Sequence, residues 1–198
     1  MINLKTPLSK EIIKKLNVGD IVYLNGIIYT GRDEAHLTIL EEGEKPESKI
    51  IVEKLKHSAI YHAGPIMKKE NNKWECVAIG PTTSARMNNM EEEFIKITEI
   101  SAIVGKGGMK DELLDIFNTH GVVYLGAPGG CAALLANSIV EVKGVYYEEL
   151  GMPEAFWELD VKDFGPLVVS MDANGNSIYK KVNYTVNKNL EKIINEMG

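Results

Sequence analysis

Arginine is the scarce cation of this sequence: of 22 lysines and arginines only Arg32 and Arg86 are arginines, which leaves 22 − 2 = 20 lysines. Both lie in Gly- or Thr-rich turns, Thr30-Gly31-Arg32-Asp33 and Thr82-Thr83-Ser84-Ala85-Arg86. A guanidinium is a planar fork that binds a carboxylate or phosphate through two parallel hydrogen bonds, which the point charge of a lysine does not copy. Two guanidiniums kept in such turns point to an anion with several acceptor oxygens, although a lysine-biased composition with two arginines left over reads the same way. Arg86 belongs to Gly80-Pro81-Thr82-Thr83-Ser84-Ala85-Arg86-Met87, which follows the apolar run Glu75 to Ile79 and precedes Met87, Met90, Phe94 and Ile97 at helical spacing. The spacing predicts a strand, a Gly-Pro turn and a helix over Ser84 to Ile97, with N–H groups and hydroxyls at Thr82-Thr83 aimed at one point that suits an anion. A plain Thr-capped helix accounts for the same residues.

A third cation stands in Gly105-Lys106-Gly107-Gly108, between an apolar strand pattern (Ser101 to Val104) and a helix pattern (Met109 to Thr119). This is not a Walker phosphate loop, which needs a glycine five residues before Gly105 and a Ser or Thr after the lysine; Ile100 and Gly107 occupy those places. Lys106 on a flexible turn beside a helix start is suited to meet an anion, and equally to be a surface lysine. The two cysteines, Cys76 and Cys131, are too few for an iron–sulfur cluster or a tetrahedral zinc site, and their apolar or small surroundings suggest buried thiols. Cys131, after Gly129-Gly130, could lie near a site. His36, His57, His62 and His120 show no metal-ligand spacing, so no metal site is expected in this chain.

The elements that must carry these residues follow from pattern. Leu8 to Leu16 reads as a short helix capped by Ser9, and Asp20–Leu24 and Ile27–Thr30 read as a hairpin about Asn25-Gly26. Glu34 to Glu41 reads as a helix, Glu42 to Glu47 as a solvated loop, and Ser58 to Pro65 as a strand ending in Gly-Pro. Gly121–Gly126 reads as a strand, followed by a small-residue helix from Ala127 to Ala136 that must pack closely. Strands are expected at Ile139–Val145, Ala155–Val161, Leu167–Met171 and Ser177–Tyr179, with Asp172 to Asn176 as a turn and Trp157 and Phe164 as core anchors. The recurring order of strand, glycine turn and helix near residues 31, 80, 105 and 126 predicts an α/β fold whose sites gather at the carboxyl ends of strands. The chain is expected to be a single domain over 1–198, closed by an amphipathic helix at about 184–197 with a stripe of Leu190, Ile193 and Ile194.

An apolar fraction of 44% and charged fraction of 25% fit an ordinary globular protein, and a net charge of −6 argues against a nucleic-acid partner. The first residues lack the apolar core of a signal peptide and no stretch approaches a membrane span, so no membrane association and a cytoplasmic location are expected.

Five ordered stretches then combine: Tyr29-Thr30-Gly31-Arg32-Asp33-Glu34-Ala35-His36, Tyr61-His62-Ala63-Gly64-Pro65, Gly80 to Met87, Val104-Gly105-Lys106-Gly107-Gly108-Met109, and Gly126-Ala127-Pro128-Gly129-Gly130-Cys131-Ala132. Together they resemble the beta subunit of class I iron–sulfur fumarate hydratase and L-tartrate dehydratase, over about residue 15 to Tyr179. The resemblance implies a swivelling β/β/α three-layer domain. It implies a two-subunit hydro-lyase that reversibly hydrates fumarate to (S)-malate, with L-tartrate dehydration or a non-catalytic anion-binding or regulatory role as alternatives. It further implies an alpha subunit carrying a 4Fe-4S cluster, not bound by this chain, and an assembly such as a heterotetramer. By match, Arg32, Thr83, Arg86 and Lys106 bind the dicarboxylate. Thr82, helped by Lys106, takes the catalytic place of the family's base, with an aspartate of the other subunit; a positioning role for Thr82 is the conservative alternative. Asp33 and His36 are expected to hold Arg32.

Overall fold

A computed structural model describes residues 1–42 and 45–197 of the chain. Its centre is a seven-stranded mixed sheet. Strands β1 (Ile2–Lys5), β2 (Ile21–Thr30), β3 (Ala59–Tyr61), β6 (Ala102–Gly105) and β7 (Val123–Gly126) run parallel, while β9 (Phe156–Met171) is antiparallel to β7, to β2 and to the edge strand β8 (Ile139–Tyr146). Because β9 bonds to both β2 and β7, the sheet curls into a partial barrel. The mixed α/β class expected from the alternation is the class observed.

The central strands read as continuous apolar runs because both faces are buried. Ala59, Tyr61, Ala102, Val104, Val123 and Leu125 point to one core, with Trp157 and Phe164, the two anchors expected there. Their alternates Ile60, Ile103 and Tyr124 point to the other, under helices α2 (Asp33–Glu42), α3 (Pro46–Leu55), α4 (Glu91–Thr98) and α5 (Leu114–His120). Beyond the first core lies the hairpin β4 (Ile66–Glu70)–β5 (Lys73–Ala78), turned by Asn71-Asn72 with both φ positive, and touched by α6 (Ala132–Ala136). The result is a layer of helices, a sheet, and a second β layer.

Several elements differ from the sequence reading. Asn25-Gly26 is not a hairpin turn: β2 runs through it without a break. Gly26 takes φ +91 at a point where the register with β9 shifts, and a Cβ there would stand 2.7 Å from the Thr6 hydroxyl. The Asn-Gly pair therefore bends a strand around the barrel instead of reversing it. The helix expected over Leu8 to Leu16 shrinks to α1 (Lys10–Ile13), although Ser9 caps it as expected by accepting from the Ile12 N–H. Helix α3, with Pro46 in its first turn and Ile51 and Leu55 buried on its inner face, stands where no helix was expected. It begins inside the expected loop Glu42–Glu47, of which positions 43 and 44 lie outside the described residues.

The helix expected over Ser84–Ile97 breaks into one 3₁₀ turn, Ser84–Met87, and α4. Asn88, between them, uses its side-chain oxygen to accept from the Lys110 N–H at 3.0 Å. Helix α5 likewise starts later than Met109, after a 3₁₀ turn at Asp111–Leu113, and the small-residue helix keeps only α6. The two strands expected near 155–171 are the single strand β9. The expected strand Ser177–Tyr179 is reduced to a bridge between Met171 and Ser177, after which α7 (Ile178–Met197) begins. Its stripe of Leu190, Ile193 and Ile194 is more than half exposed and meets no core. Among the described residues no helix is long and apolar enough to cross a membrane.

Candidate functional site

Register decides where the chemistry sits. Thr30, Tyr61, Val104 and Leu125 form one row across β2, β3, β6 and β7, so these strands reach their carboxyl ends nearly level. Arg32, His62 and Lys106 follow within two residues of that row. The Thr82 to Arg86 segment is laid across the same edge by backbone bonds: the Thr82 N–H donates to the His62 carbonyl at 2.7 Å, the Ser84 N–H to the Lys106 carbonyl at 3.1 Å, and the Lys106 N–H to the Thr82 carbonyl at 3.3 Å. Arg32, Thr82, Thr83, Arg86 and Lys106 thus converge at one sheet edge, as the strand-end rule for α/β folds requires. The same bonds change the donor set. The Thr82 and Ser84 N–H groups are committed to carbonyls, and the 3₁₀ turn that replaces the expected helix start is too short to act as an anion-binding terminus, so neither of those amides serves an anion here.

Each arginine has one carboxylate beside its Nε, a hydrogen bond for Arg86 and an ion pair without hydrogen-bond geometry for Arg32. Arg32 Nε lies 3.3 Å from Glu154, in the turn before β9, and Arg86 Nε lies 3.0 Å from Asp33. Asp33 therefore holds Arg86 and not the adjacent Arg32, which corrects the sequence expectation. His36 touches Arg32 only at its carbonyl, Nδ1 to oxygen 2.8 Å. Pairing at Nε leaves the terminal guanidinium nitrogens available for a carboxylate. Gly64 makes room for Arg32, since a Cβ there would stand 2.8 Å from its Nη1 and 2.9 Å from the Pro153 carbonyl. Lys106 is half-buried and has no ion-pair partner among the described residues. Clefts of about 670 Å³ and 720 Å³ lie elsewhere, under the start of α7 and along β8, while at this edge Thr83 and Arg86 are exposed and Arg32, Thr82 and Lys106 are half-buried.

Behind that edge is a buried polar cluster that spacing did not reveal. His36, His62 and Glu91 are fully buried, and their ligand-type atoms lie within 4.8 Å of one another. Glu91 Oε2 stands 3.6 Å from His36 Nε2 and 3.5 Å from His62 Nε2. His62 Nδ1 meets the Ser84 hydroxyl at 2.9 Å, and the Tyr124 hydroxyl donates to Ser84 at 3.0 Å. Burial works to raise the Glu91 carboxyl, but the two imidazoles outweigh it and hold it below the ordinary carboxylate value. Burial likewise drives His62 down from 6.5 to about 4, against the opposing pull of Glu91. Glu91 opens the run Glu91-Glu92-Glu93, which on sequence looks like a solvated helix start; no signal in the chain sets it apart from its neighbours.

Two measurable consequences follow from this cluster. Between pH 6.5 and about 4 an unfolded chain carries the His62 proton and the folded chain does not, so the unfolded state binds more protons and stability falls as pH drops through that window. The Glu91 carboxyl acts in the same direction, its contribution being lost as pH falls through its lowered value. The His62 shift alone should remove roughly 3 kcal/mol between pH 7 and 4, read as a falling Tm that flattens in His62→Gln. Gly105 lies under the same network: a methyl there would overlap the Ser84 hydroxyl and stand 3.0 Å from the Tyr124 hydroxyl. Gly105→Ala should cost about 3 kcal/mol, or roughly 6–12 °C in Tm. Gly129→Ala, where a Cβ meets nothing within 4 Å, should stay within about 0.5 kcal/mol in the same melts.

These residues do not form a cradle for an iron–sulfur cluster, which is held by cysteine thiolates. Cys76 is a thiol that burial pushes up to about 11, Cys131 is also raised by burial and donates to the Pro128 carbonyl at 2.8 Å, and neither belongs to the His–Glu cluster.

The profile of the family described as Fumarase C-terminus matches residues 1–182. A putative L(+)-tartrate dehydratase subunit beta of Methanocaldococcus jannaschii is 65% identical over 188 residues, 94% of this chain and 95% of that protein. The L(+)-tartrate dehydratase subunit beta of Escherichia coli K12 is 43% identical over 178 residues, 88% of this chain and 85% of that protein. A putative fumarate hydratase class I of Geobacillus stearothermophilus is 44% identical over 183 residues, which are 92% of this chain but 34% of that longer protein. With the matched profile running through every strand of the barrel and every side chain gathered at its edge, the chain belongs to the Fumarase C-terminus family.

Proposed function

We propose that this chain is the beta subunit of a heteromeric hydro-lyase that interconverts malate and fumarate. The observation that carries the reading is the convergence of Arg32, Arg86 and Lys106 with the Thr82 and Thr83 hydroxyls at one strand edge, with each guanidinium paired to one carboxylate, Arg32 to Glu154 and Arg86 to Asp33. Three cations against two carboxylates leave one net positive charge, which favours an anion, and two guanidinium forks suit an anion that carries two carboxylates. Eliminating water from a 2-hydroxy dicarboxylate takes a proton from the carbon beside one carboxylate and releases the hydroxyl from the next carbon. As the proton leaves, negative charge grows on that carboxylate, and pre-placed guanidinium and ammonium groups stabilise it where it forms. In this chain Arg32 and Arg86 grip and orient the substrate carboxylates, Lys106 adds charge at the same edge, Thr83 adds a hydroxyl donor, and Thr82 stands at the proton. A threonine hydroxyl is a poor base near neutrality, so Thr82 relies on nearby cations and on an acidic group of the partner, or acts by positioning.

The partner in this reading is an alpha subunit that completes the site, and the iron–sulfur cluster belongs to that partner; no step above runs through it. The assembly, such as a heterotetramer, works in the cytoplasm. L-tartrate is the second reading for the substrate, supported by the names of the Methanocaldococcus and Escherichia relatives. The two substrates differ by one hydroxyl.

Anaerobic co-purification with a cysteine-bearing partner, followed by assays on malate and on tartrate, tests both readings. The complex should turn over one of the two and the isolated chain neither. Turnover by this chain alone, or a complex inert to both, would overturn the two-subunit hydro-lyase in favour of an anion-binding module.

A further inference from the structure

The buried cluster behind the edge joins the two loops that carry the arginines. Each imidazole faces Glu91 with one nitrogen and a different loop with the other: His36 Nδ1 meets the carbonyl of Arg32, and His62 Nδ1 meets Ser84, between Thr82 and Arg86. Glu91 is fully buried, neither its oxygens nor the two facing Nε2 atoms have a hydrogen-bond partner, and among the described residues the two rings are the ionisable groups paired with its charge. Hydrogen bookkeeping narrows the arrangement. A carbonyl only accepts, so His36 Nδ1 carries a hydrogen. His36 Nε2 stands 3.6 Å from Glu91, an ion-pair distance, and a bare Nε2 there would set a lone pair against the carboxylate, whereas a second ring hydrogen would not. On the other side, Tyr124 donates to Ser84, Ser84 is free to donate to His62 Nδ1, and His62 Nε2 then carries its hydrogen toward Glu91. Phe94 covers the His36 ring at 4.1 Å, and Asp33 is the other charged group close enough to act on His62.

We propose that Glu91, His36 and His62 form a buried latch that holds one hydrogen more than two neutral rings and a carboxylate, and thereby sets the distance between Arg32 and the Thr82–Arg86 segment. These three are positioning residues: they touch the backbone and hydroxyl of the site loops and not the substrate. Their role in turnover rests on the hydro-lyase reading, whereas the latch itself is a property of this chain.

The test has two arms. In the ¹⁵N-histidine-labelled full chain at neutral pH, imidazole NMR should show His36 protonated on both ring nitrogens and His62 on Nε2, with the second His36 hydrogen lost in Glu91→Gln. A native His36 with a bare Nε2, or one equivalent of zinc or manganese retained by the purified chain, overturns the latch. In the complex with the cluster-bearing partner, Glu91→Ala should lower kcat/KM on malate or tartrate by up to about a hundredfold, chiefly through KM. Glu91→Gln, which can donate to one ring and accept from the other, should recover most of it. Phe117→Leu, a core change under α5, should lower Tm without moving kcat/KM. Wild-type kcat/KM in Glu91→Ala also overturns the proposal. A wild-type complex without turnover on either substrate refutes the hydro-lyase reading and leaves the NMR arm to decide the latch.

Discussion

Thr82→Val in the assembled enzyme should lower kcat by about 10²–10⁴, the usual worth of a group that moves a proton in the transition state, while Thr82→Ser stays within about tenfold. The substitution is clean because of how Thr82 is held. Its N–H donates to His62 and its carbonyl accepts from Lys106, so the backbone path does not depend on the side chain. Valine keeps the branched Cβ and removes only the hydroxyl, and the residue is half-exposed, so no buried donor is orphaned. Steady-state kinetics on malate or tartrate separate the possibilities. A loss in kcat with KM unchanged assigns the hydroxyl to the transition state, and a rise in KM alone assigns it to substrate binding. Full activity in Thr82→Val would remove Thr82 from the chemistry.

Arg86→Lys should cost about 10²–10³ in kcat/KM, comparable to removing one preorganised donor from a site where charge develops. Arginine does two jobs at once here. Its Nε is held by Asp33 at 3.0 Å, and its terminal nitrogens remain for a second carboxylate. A lysine ammonium can satisfy Asp33 or the substrate but cannot present a fixed fork to both. Asp33→Asn should reproduce part of the loss through a looser guanidinium, visible as a higher KM. An Arg86→Lys enzyme with wild-type kcat/KM would rule out the carboxylate clamp. Arg86 is about half-exposed, so Arg86→Lys should change stability by no more than the roughly 0.5 kcal/mol typical of surface substitutions.

How much of this was legible in the chain depends on the range of the interaction involved. The apolar runs at β2, β5 and β6 and the turns after them are local signals, and they place Arg32, Thr82, Arg86 and Lys106 just past strand ends from sequence alone. Asn25-Gly26 misled because the same positive-φ preference serves a two-residue turn and a bulge; Thr6 packed over Gly26 and β9 alongside decide between them, and both are distant in sequence. The break between Ser84–Met87 and α4 is set by Asn88 reaching Lys110, again a contact that periodicity does not contain. Carboxylate partners were the hardest to foresee. Asp33 next to Arg32 looks like its partner, yet side chains of adjacent residues diverge, and Asp33 meets the arginine 53 positions away. Glu154 and Glu91 carry no mark in sequence at all, since an ion pair needs only proximity in space.

The open strand edge has a kinetic corollary. A reaction that builds charge on a carboxylate needs water excluded, and at this edge Thr83 and Arg86 are exposed and Lys106 is only half-buried within this chain. The reaction chamber would then exist only while two different subunits are in contact, so specific activity would fall on dilution with a midpoint at the subunit dissociation constant. An excess of either subunit would restore it, and saturating dicarboxylate, bound across the seam, would slow the subunits' parting.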